Sequence, residues 1–245
     1  MRRLLLPFAA LALLTTARAV DYPQPAGAEF THTFPFAMAG QLLFGNGAKF
    51  YSGTGTVTRP SSVLTAAHNL WSAESGFSTD ILFRRGLAGD AALSEQYASR
   101  IYVLGGYREN ARRLTAEDVR TFSYDLGLLV FTRPVADGAY AGWWANPTLL
   151  TGRTLALGYG GDTHSGDDLL RVASAESYTP TAGAFYENRS LYFEAGMSGG
   201  PVFGEDTDGK LYVAGVVVAG SIDPIAGGIR ILDIAAANFI KRYAK

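Results

Sequence analysis

The sequence of 245 residues contains no cysteine, so no disulfide can brace the fold and its stability has to come from a packed core. It has little surplus charge of either sign, with 21 Lys and Arg against 22 Asp and Glu. That balance excludes the basic footprint of a nucleic-acid binder. Long hydrophobic runs are missing too. The most apolar stretch, Leu4 to Leu14, is interrupted by Pro7 and is too short for the roughly 20 residues that cross a bilayer. No low-complexity tract and no residue-level repeat occur, and histidine appears only at positions 32, 68 and 164.

The short apolar stretch has another reading. Met1-Arg2-Arg3 is a basic start, and Ala17-Arg18-Ala19 fits the small-x-small rule for signal cleavage. Residues 1–19 are therefore expected to be a signal peptide, with the mature chain beginning near Val20. Its removal takes Lys and Arg from 21 to 18 against 22 Asp and Glu, leaving a net charge of -4. An exported chain without cysteine is more usual in bacteria than in animals, so a periplasmic or extracellular bacterial protein is expected. After signal removal no membrane contact is expected, and the chain is expected to be monomeric.

Beyond residue 33, strand-length apolar runs alternate with Gly, Pro, Asn and Asp clusters. In the first half they are Gln41 to Phe44, Gly55 to Thr58, Val63 to Ala66, Arg100 to Leu104 and Leu126 to Phe131. In the second half they are Thr154 to Leu157, Leu170 to Ser174, Ser190 to Phe193, Pro201 to Phe203, Leu211 to Val218 and Ile229 to Ile231. The pattern breaks over residues 136–147, which predicts a linker between units at 34–135 and 148–232. Residues 20–33 are an N-terminal segment or a propeptide. Over 233–245 the period changes to that of a helix, with Asp233 as its cap and Ile234, Ala237 and Ile240 as its buried stripe. The sum is an all-β protein with a C-terminal helix.

Three segments carry chemistry. Gly196-Met197-Ser198-Gly199-Gly200-Pro201 places a serine in a glycine-rich turn before a strand, where the N–H groups of Gly196 and Ser198 can converge on one oxyanion. Val63-Leu64-Thr65-Ala66-Ala67-His68 ends a strand in a residue suited to general base work near neutral pH. Tyr124-Asp125-Leu126-Gly127-Leu128-Leu129 opens a strand with a carboxylate that needs a partner if buried, and an imidazole N–H is such a partner. Taken singly, each has a plainer alternative: an ordinary turn, a surface histidine, a strand-edge aspartate.

Chain order separates the architectures that could claim the serine. Gly-x-Ser-x-Gly also marks the nucleophile elbow of α/β-hydrolases, but there the histidine follows the serine, and here all three precede Ser198. An Asp125, His164, Ser198 order would be that of subtilisin, whose fold needs alternating helices and a helix after its serine; here Pro201 and a strand follow. The order His68, Asp125, Ser198 is the chymotrypsin order.

With Gly53-Thr54-Gly55-Thr56 ahead of the histidine motif, these segments resemble the active-site motifs of trypsin-like serine peptidases over roughly residues 40–235. The resemblance implies two six-stranded antiparallel β-barrels with the active site between them, and a catalytic set of His68, Asp125 and Ser198. It implies protein or peptide substrates and no cofactor or metal. By position, Tyr192, Val218 and Gly220 correspond to the substrate pocket. Met197 stands where animal members carry the Asp that receives a freed N-terminus. Together with the missing cysteines, this makes the chain resemble the bacterial branch that includes glutamyl endopeptidases. The histidine-bearing pattern tied to their acidic specificity is replaced by Gly215-Val216-Val217-Val218-Ala219-Gly220. Val218 also stands where many relatives place a serine against the buried aspartate. The alternative is a peptidase-fold protein that binds peptides with little or no catalysis; a preference for esters is a further possibility.

Overall fold

The computed structural model describes residues 20–115 and 118–245; the expected signal peptide, residues 1–19, lies outside them. A short strand, β1 (Gln24–Pro25), precedes the first sheet. That sheet is built from β2 (Ala39–Asn46), β3 (Lys49–Arg59), β4 (Ser62–Thr65), β7 (Thr79–Arg85), β8 (Ser94–Tyr97), β9 (Arg100–Val103) and β10 (Gly127–Val130). Between them lie the small hairpin β5 (Trp71–Ser72) and β6 (Gly76–Phe77), and helix α1 (Tyr107–Arg113). The second sheet holds β11 (Thr154–Gly158), β12 (Leu170–Ser174), β13 (Thr179–Ala182), β14 (Phe185–Asn188), β15 (Pro201–Glu205), β16 (Leu211–Ile222) and β17 (Ile225–Ile231), followed by α2 (Ile234–Tyr243).

Both sheets close on themselves through a bent strand. The first runs β8-β7-β2-β3-β4-β10-β9, and its two edges, β8 and β9, are consecutive in the chain with only Ala98 and Ser99 between them. In the second, β12 pairs with β11 and β13 pairs with β14, with residues 175–178 forming the corner; β1 is added outside β12. Counting each bent pair as one strand gives the two six-stranded barrels, and closure leaves few edges exposed.

Period-2 geometry accounts for the continuous apolar runs. Along β10 and the residue after it, Leu129 and Phe131 enter the first barrel's interior, while Leu128 and Val130 join a cluster that also contains Leu157, Phe203 and Val216 of the second barrel. Ala156 and Val202 point inside the second barrel as their neighbours Leu157 and Phe203 turn to that shared cluster. Strands buried on both faces have no polar face to show in the sequence.

Two expectations need correction. Ser190 to Phe193 is not a strand. Asn188 Oδ1 accepts from the Ser190 N–H at 2.9 Å and from its hydroxyl at 2.7 Å, which turns the chain out of β14, and the run is apolar because Leu191 and Phe193 are buried in the core. In α2 the buried residues are Ala236, Phe239 and Ile240, whereas Ile234 is 77% exposed. Asp233 does cap the helix, accepting from the Ala236 N–H at 2.9 Å. Tyr243 stacks on Tyr102 of the first barrel with centroids 4.3 Å apart, so the helix bridges the two barrels. No helix among the described residues is long and apolar enough to cross a membrane.

Candidate active site

Pairing of β4 with β10 sets the first half of the site. In this antiparallel pair Thr65 lies opposite Gly127, so the chain leaving β4 and the chain entering β10 meet at one end. Three residues past Thr65, a single 3-10 turn, Ala67–Asn69, carries His68. Two residues before Gly127, Asp125 ends the 3-10 turn Thr121–Tyr124. The Asp125 carboxylate, 1% exposed, accepts from the His68 backbone N–H at 2.9 Å through Oδ1 and lies 2.6 Å from His68 Nδ1 through Oδ2. Burial pulls the imidazole pKa down, but the charge of Asp125 and its hydrogen bond more than offset that and hold it above the ordinary 6.5. With Nδ1 engaged, Nε2 is the nitrogen left for chemistry.

Ser198 comes from the second barrel, in the turn before β15. Two glycines make that turn possible: Gly196 has φ +92° and Gly199 φ +88°. A Cβ on Gly199 would lie 2.1 Å from Thr65 Oγ1 and 2.2 Å from the Thr54 carbonyl oxygen, so this backbone passes against the first barrel with no room for a side chain. The N–H of Gly200 donates to the Met197 carbonyl and that of Gly199 to the Val217 carbonyl. Neither the Gly196 nor the Ser198 N–H has a hydrogen-bond acceptor among the described residues. Gly196, Ser198 and His68 all line one cavity of about 300 Å³.

The sequence profile of the trypsin-like peptidase domain matches residues 53–214, well over half of the chain. The chain belongs to the trypsin-like peptidase family. Among curated proteins none matches the sequence. Solved structures carry the same fold. A Glu endopeptidase in complex with MPD is 19% identical with a TM-score of 0.70, the match covering 91% of this chain and 96% of that one. The protease Anisep from Arthrobacter nicotinovorans is 18% identical with a TM-score of 0.69, covering 84% and 94%. A thermostable serine protease, AL20, from an extremophilic microorganism is 16% identical with a TM-score of 0.66, covering 82% and 94%.

What braces the serine turn of this peptidase domain is a polar ladder across the cleft that no motif announces. The Ser198 carbonyl accepts from the Thr54 N–H at 2.8 Å and from Asn69 Nδ2 at 2.9 Å. The Thr54 hydroxyl donates to the Gly196 carbonyl at 2.8 Å and accepts from the Tyr159 N–H at 2.9 Å. Thr65 completes the ladder, donating to the Thr54 carbonyl and accepting from Asn69. The only hint in the sequence is position, since Asn69 follows His68 and Thr54 sits in the Gly53-Thr54-Gly55 segment.

A second brace comes from the loop after β11. Asp162 accepts from the Ala195 N–H at 2.8 Å and from the Tyr192 hydroxyl at 3.1 Å. Buried Glu194 accepts from the Thr163 hydroxyl and lies 2.8 Å from His164 Nδ1. These residues flank the turn where Met197 offers no carboxylate to a freed amine. Of the expected pocket residues, Tyr192 is thus engaged with Asp162, Val218 is 3% exposed at a bulge between Val217 and Ala219, and Gly220 is exposed within β16, opposite Gly227. No group of three or more His, Cys, Asp or Glu among the described residues is placed to hold a metal ion.

Proposed function

We propose that the chain is a secreted serine endopeptidase in which Ser198 is the nucleophile, His68 the general base, and Asp125 the carboxylate that orients and charges His68. The observation that carries this reading is the buried Asp125–His68 pair at 2.6 Å beside the cavity that Ser198 and Gly196 line. His68 Nε2 takes the hydroxyl proton as Ser198 Oγ bonds to the peptide carbonyl carbon. The oxyanion is held by the Gly196 and Ser198 N–H groups. Collapse breaks the C–N bond, and His68 returns its proton to the departing amine. Water then repeats the sequence on the acyl-enzyme, releasing the acid and regenerating the serine. Export rests on the signal-like residues 1–19, with the mature chain starting near Val20. Residues 20–33 then stay with the enzyme, consistent with β1 pairing to β12 and the Asp21 N–H donating to the Ser190 carbonyl.

Kinship with the bacterial branch that includes glutamyl endopeptidases is part of the proposal, supported by the missing cysteines, by Met197 and by the likeness to a Glu endopeptidase structure. A fluorophosphonate probe is expected to label wild-type protein at Ser198 and to leave Ser198→Ala unlabelled; labelling of neither sinks the assignment. Incubation with denatured casein, followed by mass spectrometry, is expected to yield new termini. Stable complexes without new termini would favour the peptide-binding alternative.

A further inference from the structure

A peptidase chooses its bond through the side chains on either side of the carbonyl it attacks. On the acyl side, the family resemblance assigns the pocket to Tyr192, Val218 and Gly220, and the two segments that carry them touch. Phe193 is 3% exposed. A Cβ on Gly227 would lie 2.9 Å from Phe193 Cε2 and 3.1 Å from Leu191 Cβ, so the ring fills the space over β17. A Cβ on Gly220 would lie 2.1 Å from the Phe193 carbonyl oxygen, so the facing strand is in direct contact as well. Between these segments there is no room for a long side chain.

The space beside Ser198 lies on the other side. The cavity of about 300 Å³ is at the small end of the range for ligand pockets and has room for a large side chain. Phe44 and Tyr51 line it. They are directly opposite each other across the β2–β3 pair and therefore share a face, their rings stacked with centroids 6.0 Å apart. Phe44 is 5% exposed and Tyr51 45%, giving a fixed floor and an open wall. Both belong to the first barrel and line the same cavity as His68, the residue that in the reading above returns its proton to the departing amine.

Resting on the peptidase reading above, we propose that this enzyme selects its bond on the leaving-group side. The residue that follows the cleaved bond carries a large apolar or aromatic side chain, which packs against Phe44 and Tyr51. The residue that precedes the bond is glycine or another small residue, because Phe193 and Gly220 close the acyl-side pocket.

Cleavage-site profiling of the secreted protein on a peptide library, read by mass spectrometry, tests this together with fluorophosphonate labelling. Large apolar residues are expected just after the cut and small ones just before it. Tyr51→Ala is expected to cut the leaving-side preference by about tenfold or more. Phe50→Ala, at a side chain 84% exposed on the other face of β3, is expected to leave the profile unchanged. Labelled, active protein that selects large acyl-side residues, shows no leaving-side preference, or keeps that preference in Tyr51→Ala overturns the proposal and leaves the peptidase reading standing. Protein that neither labels nor cleaves overturns both.

Discussion

Asp125 is a carboxylate 1% exposed whose two oxygens both contact His68, once through the backbone and once through the ring. A buried charge with so specific a partner costs more to alter than a surface one. Asp125→Asn is expected to keep the fold and to lower kcat/KM by about 10⁴, the scale at which loss of the orienting carboxylate costs the correct tautomer. The pH profile carries a second signature. Because the imidazole pKa is held above its ordinary 6.5, and the proposed base acts only when neutral, activity is expected to rise with a midpoint above that value. In Asp125→Asn the midpoint moves down. Asn69→Ala is the corresponding test of the cross-cleft ladder: it removes one of the two donors to the Ser198 carbonyl and is expected to cost about 1–3 kcal/mol in Tm-derived stability, with kcat falling more than KM changes. His68 and Ser198 were legible as candidates because their motifs are local. Thr54 and Asn69 were not, because their bonds reach carbonyls 142 and 129 residues away, and a main-chain acceptor carries no residue code.

At the scale of elements, the strand runs were legible and their pairing was not. Leu126 to Phe131 reads as one apolar run, but only the folded sheet assigns Leu129 to a barrel interior and Leu128 to the shared cluster. Leu128→Ala therefore opens a cavity between the barrels and is expected to cost about 2–5 kcal/mol, measured by denaturant unfolding. Strands β7, β8, β13 and β14 were missed because polar residues interrupt their apolar pattern, as in Ser94–Tyr97. Of the expected α2 stripe Ile240 is buried but Ile234 is exposed, because composition marks a helix without stating which face meets the barrels. The loop that binds Glu194 has its own pH signature. Burial raises the Glu194 pKa, yet hydrogen bonds from Thr163 and His164 outweigh it and hold the carboxyl below its ordinary 4.5. A depressed pKa stabilises the fold above the ordinary carboxylate range and ceases to as pH falls through the folded value. Glu194→Gln is expected to flatten that acid limb in a Tm-against-pH series.

For the whole molecule, the absence of cysteine leaves two closed barrels and their shared cluster to supply stability, so Tm is expected to be the same with and without reductant. Helix α2 ties the barrels together. Its cap Asp233 also pairs with Arg230, 1% exposed, at 2.9 Å. The all-β class, the order of the three motifs and the separation from two rival architectures were determined by the sequence alone, since periodicity, turn chemistry and chain order are one-dimensional properties; the two barrels were implied by the family resemblance. The tertiary structure decided how the serine turn is braced and how the Phe193 segment meets β16. Both depend on which backbones approach within contact distance, Gly199 against Thr54 and Phe193 against Gly220, and no linear pattern records an approach between segments so far apart in the chain.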